Sequence, residues 1–367
     1  MLSATTDSRL PAIAQRGPTP DFSPFWARAF KVTVGYPMSR WTQKLVVVSA
    51  TGYILFFYSE RVFWSFLRPG DKWTDLVLGW LVYSLLAWVF LLVIRQCRVA
   101  GFPALFLAGA IFGWLAEGVV VDTLYGNATN PFPASISFTG LAWHALLSVG
   151  VGWYWQGKVL LAPNPSRIAA FSIAVGLGWG LWAAWWPAEL GRASTSLAAF
   201  TGHTVVCSAL LILSWVVLSL GRPDWFQPAK WEMPVLVAVV ILFFLVIRVP
   251  ATPRSALILP PLLLACAYGL NRNRIRERRP DLVDTFVGRI RLRSCCLLFL
   301  IPVTAIAVYA PVAVWQWKLS TNWLAYLTTM PLGFFLLIRS FWVLLRPQRG
   351  QDGHQIEPPA VEWRSTH

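Results

Sequence analysis

About ten stretches of predominantly apolar residues, most of them near 20 residues long, recur along this 367-residue chain. An α-helix rises about 1.5 Å per residue, so ~20 apolar residues match the ~30 Å hydrocarbon layer of a bilayer. Inside that layer the backbone must satisfy its own hydrogen bonds, which leaves helices and closed barrels as spanning structures. The alternating pattern of a barrel strand is absent. The expected fold is therefore all-α, a polytopic transmembrane helix bundle.

The composition agrees with a membrane bundle, because 56% of the residues are hydrophobic and 13% are charged, against about 25% charged in soluble domains. We expect about ten spans. They lie at residues 45–58, 76–94, 101–121, 137–156, 168–188, 196–219, 234–247, 254–270, 295–315 and 322–345. The seventh span is short and the eighth contains Pro260 and Pro261, so these two are candidates for kinked, broken or re-entrant helices.

The basic residues lie mainly on one side of the predicted bundle. They precede the first span and occupy the even-numbered connections, above all 271–293, whereas 122–136 contains no Lys or Arg. By the positive-inside rule both termini are cytoplasmic and the 122–136 connection is outside. The predicted organisation is a basic cytoplasmic tail at 1–43, a bundle at 44–346 and a cytoplasmic tail at 347–367.

The formal net charge of +15 has its simplest explanation in this topology. A basic connection at 271–293 is typical of a segment beside anionic lipid head groups, so no nucleic-acid partner is expected. A polar tail precedes the first span and no secretory signal peptide is visible. These features predict a multi-pass integral protein of a bacterial plasma (inner) membrane.

Few ionisable residues interrupt the apolar spans, where each is energetically expensive and needs a partner or a purpose, and Glu117, His144 and His203 are the acid and imidazoles among them. Glu117 comes about four residues before the end of the third span, or about 6 Å below the outer boundary. His144 and His203 come about seven residues into the fourth and sixth spans, or about 10 Å deep. We therefore expect these three side chains, from three helices, to meet at one level.

Other residues near these three are candidates for contact with a substrate. Residues three or four apart, or two such steps apart, share a helix face, which groups Trp114 and Tyr125 with Glu117 and Cys207 with His203. A deep indole fits either a pocket wall or ordinary helix packing. Asp122 points about 140° away from Glu117 and falls at a helix end, where solvation also explains it. The candidate substrate-binding residues are Trp114, Trp143, Tyr125, Cys207 and Asp122.

A carboxylate and two imidazoles in an apolar shell fit several kinds of site. Their burial suits general acid–base chemistry near neutral pH. Two His and one carboxylate are also a ligand set for zinc or non-haem iron, which makes Glu117, His144 and His203 candidate metal ligands. Two imidazoles on different helices suit bis-His haem ligation. The cluster also fits ligand or ion passage.

The alternative is a hydrogen-bonded polar cluster that has only a structural role. In that case Glu117 would pair with a cation from an outer helix end. The available cations are Arg192, Arg248 and Arg254.

Three short segments carry the acid and the two His: "EGVVVD" from Glu117, "GLAWH" ending at His144, and "HTVVC" from His203. Their order and spacing resemble the E-E-x-x-x-R, F-x-x-x-H and H-x-x-x-N/D motifs of the CAAX-protease and bacteriocin-processing (CPBP, or Abi) intramembrane proteases. The resemblance covers about residues 110–210. It implies that Glu117 activates water and that His144 and His203 stabilise an oxyanion. The positions that depart from the motifs are Gly118, Asp122, Gly140 and Cys207.

Together these features predict an integral membrane enzyme with an outward-facing intramembrane Glu/His/His site. Its chemistry would be hydrolytic or acid–base, on a lipid, isoprenoid or lipid-anchored substrate. The alternative is a non-enzymatic subunit, transporter or haem- or pigment-binding protein that uses the same cluster. Few polar residues continue the path across the membrane, which favours a site open to one side. Zinc, non-haem iron and haem are the candidate cofactors, and the expected partners are membrane lipid and a hydrophobic small molecule or lipid-anchored substrate.

Overall fold

The structure is a computed structural model. It describes residues 38–65, 72–128, 130–185 and 195–346. Within these ranges the chain forms helices and no strand. Nine of the described helices are long and apolar enough to cross a membrane, which confirms the prediction of an all-α, multi-pass bundle. The C-terminal tail, most of the N-terminal tail and Arg192 lie outside the described residues.

Ten long helices follow one another in the described part of the chain. They are α1 (Arg40–Trp64), α2 (Thr74–Gln96), α3 (Phe102–Val120), α4 (Ser135–Leu161), α5 (Pro165–Ala183), α6 (Leu197–Leu220), α7 (Glu232–Ala251), α8 (Ser255–Arg276), α9 (Leu292–Trp315) and α10 (Asn322–Leu345). Each corresponds to one predicted span. Nine of them have the length and apolarity of a span. The exception is α8, because it ends in the polar run 271–276, "NRNRIR". Shorter helical turns lie at Thr123–Tyr125, Pro223–Trp225 and Leu282–Phe286.

Three helices differ from the predicted spans. Helix α1 continues to Trp64 instead of ending near residue 58, because the polar residues 59–61 find partners inside the bundle. Helix α7 is 20 residues long, which is enough to cross the hydrocarbon layer. Helix α8 runs unbroken through Pro260 and Pro261, as membrane helices tolerate when neighbouring groups satisfy the freed carbonyls.

The helices divide into a buried group and a peripheral group. Helices α1, α3 and α4 are largely buried in the bundle, whereas α7 and α10 expose most of their residues. Helix α4 packs along α3, and α5 packs along α9. Gly176 and Gly180 of the "GLGWG" segment lie against the backbone of α9, which is the close approach that small residues permit in membranes. The exposed apolar helices are suited to contact with lipid.

Charged contacts hold the peripheral helix α7 at both ends. At its first residue, Glu232 accepts hydrogen bonds from the Lys44 ammonium and, at 3.0 Å, from the Trp88 indole N–H. The Glu232 side chain is fully buried. Near the other end, Arg248 donates to the carbonyls of Val119 and Val120 at 3.2 and 2.8 Å. These carbonyls close α3, so α7 caps the end of a buried helix.

Arg95, at the end of α2, orders part of the predicted basic connection. Its guanidinium donates to Asp281 at 3.0 Å, to Asp284 at 2.7 Å and to the carbonyls of Pro223 and Phe226 at 2.7 and 3.2 Å. Burial raises the pKa of the Asp281 carboxyl above its ordinary value in spite of this cation. This part of the connection is therefore folded and packed against the bundle, in addition to being basic.

Candidate functional site

Glu117 and His144 are in direct contact. The Glu117 Oε1 atom lies 2.6 Å from His144 Nε2, and both side chains are buried. Glu117 belongs to the last turn of α3, and His144 belongs to the first half of α4. Two of the three side chains predicted to meet at one level are thus brought together.

Two glycines allow α3 and α4 to approach closely enough for this contact. A Cβ atom at Gly113 would overlap the Gly140 carbonyl oxygen and lie 2.9 Å from His144 Cβ. A Cβ atom at Gly140 would lie 2.7 Å from the Trp114 ring. Because any side chain at either position would separate the helices, the two glycines set the Glu117–His144 distance.

The hydrogen-bonded chain continues from the other nitrogen of the imidazole. His144 Nδ1 lies 2.9 Å from the Ser59 hydroxyl of α1, which also lies 2.8 Å from the hydroxyl of Ser148. Ser148 donates in turn to the Trp143 carbonyl at 3.2 Å. A serine, an imidazole and a carboxylate therefore follow one another without interruption. We call Ser59, His144 and Glu117 the relay.

The connection after α3 covers the carboxylate end of the relay. The Thr123 hydroxyl donates to Glu117 Oε2. Two residues later, the Tyr125 hydroxyl donates to the Gly118 carbonyl. The helical turn Thr123–Tyr125 thus folds back over the end of α3, and both carboxylate oxygens of Glu117 have a donor or an imidazole beside them.

Each relay residue lies in a π-helical segment. Ser59 is in Phe57–Arg61, Glu117 is in Ala116–Val120 and His144 is in Gly140–Trp155. π-Helical turns are rare in proteins and are frequent at functional sites. Three of them on three helices that meet at one hydrogen-bonded chain mark this point as a candidate functional site.

His203 does not join the relay. Its Nε2–H donates to the Arg61 carbonyl at 3.2 Å, and its Nδ1 lies 3.9 Å from Cys207 Sγ. The described ranges contain no group of three or more His, Cys, Asp or Glu side chains placed to hold a metal ion. The expected zinc or non-haem iron ligand set is therefore not formed. Bis-His haem ligation has no support either, because both ring nitrogens of His144 are engaged in the relay.

The candidate substrate-binding aromatic residues are satisfied by backbone groups. The Trp114 indole donates to the Ile136 carbonyl at 3.0 Å, and the Trp143 indole donates to the Tyr58 carbonyl at 2.8 Å. Both rings are buried. Tyr125 lies beyond the end of α3 and not on its face, so the helical spacing from Glu117 does not apply to it. Together with the hydrogen bond from Tyr125 to the Gly118 carbonyl, these contacts are those of packing within the bundle, whereas Cys207 lines a cavity beside His203.

Comparisons with protein-family models, with curated proteins and with solved structures found no match. The resemblance to the CPBP proteases stays a prediction. Of the three residues that carry it, Glu117 and His144 are in contact and His203 is elsewhere.

If the polar cluster is only structural, Glu117 was expected to pair with an arginine, but its partners in the structure are different. Arg248 donates to the backbone at the end of α3, and Arg254 donates to the Gly126 carbonyl at 2.7 Å. Their guanidinium groups are thus used for backbone capping, and Glu117 takes its hydrogen bonds from Thr123 and His144.

Asp122 lies outside the relay, and its substitution should have little effect. Its side chain is 65% exposed and its carboxylate is 3.8 Å from Arg248, a separation at which an exposed pair contributes ~0–1 kcal/mol. We expect Asp122→Asn to change the reactivity of the relay less than about fivefold, which is the ratio that ~1 kcal/mol corresponds to. The measurement is the rate at which a fluorophosphonate modifies Ser59. A loss of rate as large as that expected for Glu117→Gln would contradict the placement of Asp122 outside the relay.

Ser59 and Arg61 were not among the predicted site residues, because the first predicted span ends near residue 58. The available signal was the segment "FYSERVFW", in which three polar residues are followed by more apolar ones. A helix that simply left the membrane would not return to Val62, Phe63 and Trp64. A polar insert within an apolar run of this kind indicates buried polar contacts.

Proposed function

We propose that this protein is an integral membrane enzyme in which Ser59 is the nucleophile, His144 is its general base and Glu117 orients the imidazole. The supporting observation is the unbroken serine–imidazole–carboxylate chain, with separations of 2.9 and 2.6 Å. A serine hydroxyl is a weak nucleophile until an adjacent base, itself positioned by a third group, takes its proton. The relay supplies these three groups in that order.

The proton steps follow from the two ring nitrogens. In the reactive arrangement Ser59 donates its proton to His144 Nδ1, and Nε2–H donates to Glu117. As Ser59 Oγ bonds to an acyl carbon, its proton moves to Nδ1, and the Glu117 carboxylate stabilises the imidazolium. The imidazolium then protonates the leaving alcohol or amine. Water repeats the sequence, releasing the acid and restoring Ser59.

The relay uses the ring nitrogens in the reverse order from that of the serine proteases, in which the acid contacts Nδ1. Both nitrogens lie in the ring plane, so either order keeps the base and the carboxylate aligned. Ser148 is the competing partner for the Ser59 hydroxyl. In the resting arrangement the Ser59 hydroxyl donates to Ser148. In the reactive arrangement it has rotated and donates to His144 Nδ1.

Tyr83 is our candidate for stabilising the oxyanion. Its ring lies beside the imidazole, with 6.2 Å between centroids, and its hydroxyl donates to Glu60 Oε1 at 2.8 Å. The phenol has a single hydrogen, so it must turn away from Glu60 to donate to the oxygen that becomes negative.

The proposed substrate is an ester or amide carried by a lipid or a lipid-anchored molecule. The relay residues belong to three helices that are apolar enough to span a membrane. A substrate dissolved in the bilayer reaches such a site without crossing from water, and its chains match the apolar surroundings. The acyl bond is the chemical group on which a serine–imidazole–carboxylate relay acts.

Modification of Ser59 tests this proposal without knowledge of the natural substrate. We expect an alkyl fluorophosphonate to label the folded, detergent-purified protein at Ser59. Labelling should fall to background in Ser59→Ala, because the attacking oxygen is gone. Ser148→Ala is the matched control, since it changes a serine of the same chain of hydrogen bonds and should keep the labelling. Mass spectrometry of the labelled peptide gives the site and the extent.

A non-enzymatic membrane subunit is the second candidate, and the deep burial of the relay favours it. Ser59 is 3% exposed and His144 is 2% exposed, as expected for a polar contact that only holds helices together. Folded protein that shows no labelling of Ser59, or equal labelling of Ser59→Ala, would support this candidate and contradict the enzyme.

A further inference from the structure

A largely apolar cavity of about 500 Å³ lies between α1, α2 and α6. Its volume is within the range of small-molecule sites, ~300–1,000 Å³. None of the relay residues lines it. Its walls include Tyr53, Phe56, Trp80, Val206 and Leu210.

Arg61 brings a buried cation to this cavity. The residue is 7% exposed, and its Nε and Nη1 atoms have no hydrogen-bond partner among the described residues. Its guanidinium carbon lies 4.8 Å from the centroid of the Phe56 ring, a cation–π contact that compensates for only part of the lost hydration. An unpaired charge of this kind within an apolar span is expensive and points to a missing anionic partner.

His203 lines the same cavity, and it does not supply a negative charge to pair with Arg61. Because a carbonyl only accepts, His203 Nε2 carries the hydrogen of its bond to the Arg61 carbonyl. Its Nδ1 then faces the Cys207 thiol. His203 therefore fixes the turn of α1 that presents Arg61, and the cavity combines one cationic group with apolar walls.

We propose that this cavity binds a membrane amphiphile that has one negative charge on its head group and a hydrocarbon chain. The head group contacts Arg61, and the chain lies along Phe56 and Trp80. A carboxylate, as in a fatty acid, and a phosphodiester, as in a phospholipid, both have this chemistry. The site is independent of the proposed enzyme, because its residues and those of the relay are different.

Photo-crosslinking of the full chain in zwitterionic nanodiscs tests the binding. Three diazirine probes are compared: oleic acid, phosphatidylglycerol and phosphatidylcholine. We expect the anionic probes to label peptides of the cavity wall about tenfold more than phosphatidylcholine, as one charge-assisted hydrogen bond would produce. Preferential capture of oleic acid identifies a carboxylate site, and capture of phosphatidylglycerol identifies a phosphodiester site. Equal labelling by all three probes would overturn the proposal.

Two variants assign the capture to this cavity. Arg61→Gln removes the charge and should lower anionic labelling about tenfold. Gly202→Leu fills the cavity from its wall, where a Cβ atom meets nothing within 4 Å, and should also prevent capture. Gly178→Leu is the matched control, because its Cβ is equally unobstructed and lies outside the cavity.

The outcome of the variants is decisive even if Arg61→Gln accumulates poorly. Loss of capture in Gly202→Leu with retention in Gly178→Leu supports the site. Unchanged anionic capture in Gly202→Leu overturns it. Ser59 labelling is measured on the same preparations, so failure of lipid binding and failure of the proposed enzyme are distinguished.

Discussion

Glu117→Gln should lower the rate of Ser59 modification about 10³-fold or more, because loss of the carboxylate from a serine–histidine–acid arrangement costs up to about 10⁴-fold. The amide has nearly the same shape but cannot stabilise the imidazolium that forms when Ser59 loses its proton. It can also donate to His144 Nε2 and so hold the wrong tautomer. The measurement is the second-order rate of fluorophosphonate labelling, with folding checked by gel filtration.

The two membrane histidines provide the matched control for this result. His144→Ala removes the base of the relay and should abolish labelling. His203→Ala removes an imidazole of similar predicted depth whose contacts are to Arg61 and Cys207, and should leave the rate within a few fold of the wild type. A rate of Glu117→Gln within tenfold of the wild type, or equal losses in the two His variants, would contradict the assigned roles.

Lys44→Met should lower the free energy of unfolding by about 3–5 kcal/mol, the cost of leaving one charge of a buried pair without its partner. The Glu232 carboxylate is fully buried. Without Lys44 it would keep the Trp88 indole and the Ala229 N–H as hydrogen-bond donors, but would have no cation from the part of the chain that the structure describes. The measurement is unfolding in mixed detergent micelles, followed by tryptophan fluorescence.

The double variant Lys44→Met/Glu232→Gln separates the charge from the packing. Trp88 and Ala229 donate to different oxygens of Glu232, so the single amide oxygen keeps only one of these hydrogen bonds. Because no unpaired charge is left buried, a large part of the lost stability should still return. A coupling energy near zero in this double-mutant cycle would show that the two charges do not act as a pair. Stability as low as that of Lys44→Met would show that the Lys44 side chain acts through its apolar stem instead.

The helix content and the positions of the spans were predictable, because the bilayer demands one length and one polarity from every crossing segment. Depth along a span was also predictable, and it correctly suggested the contact of Glu117 with His144. Depth alone does not give the position of a helix around the bundle. His203 was predicted to lie at a similar depth. In the structure it contacts the Arg61 carbonyl of α1 and Cys207 of its own helix, and not the relay.

Ser59 was missed for a different reason. Hydropathy places the end of a span where polar residues begin, and Ser59, Glu60 and Arg61 are polar. They remain within the bundle because each has a specific neighbour: His144 for Ser59, Tyr83 for Glu60 and the Phe56 ring for Arg61. The partners of Ser59 and Glu60 lie on other helices, and a local pattern does not contain them.

The Arg248 cap also constrains when the site can mature. The Val120 carbonyl that it satisfies was synthesised 128 residues earlier. At about 5–20 residues per second, the ribosome needs about 6–26 s to cover that interval. Until α7 has been inserted, the last turn of α3, which carries Glu117, lacks the Arg248 guanidinium as a donor to its terminal carbonyls. The relay is therefore expected to acquire its final geometry late in biogenesis, once α7 has been inserted against the end of α3.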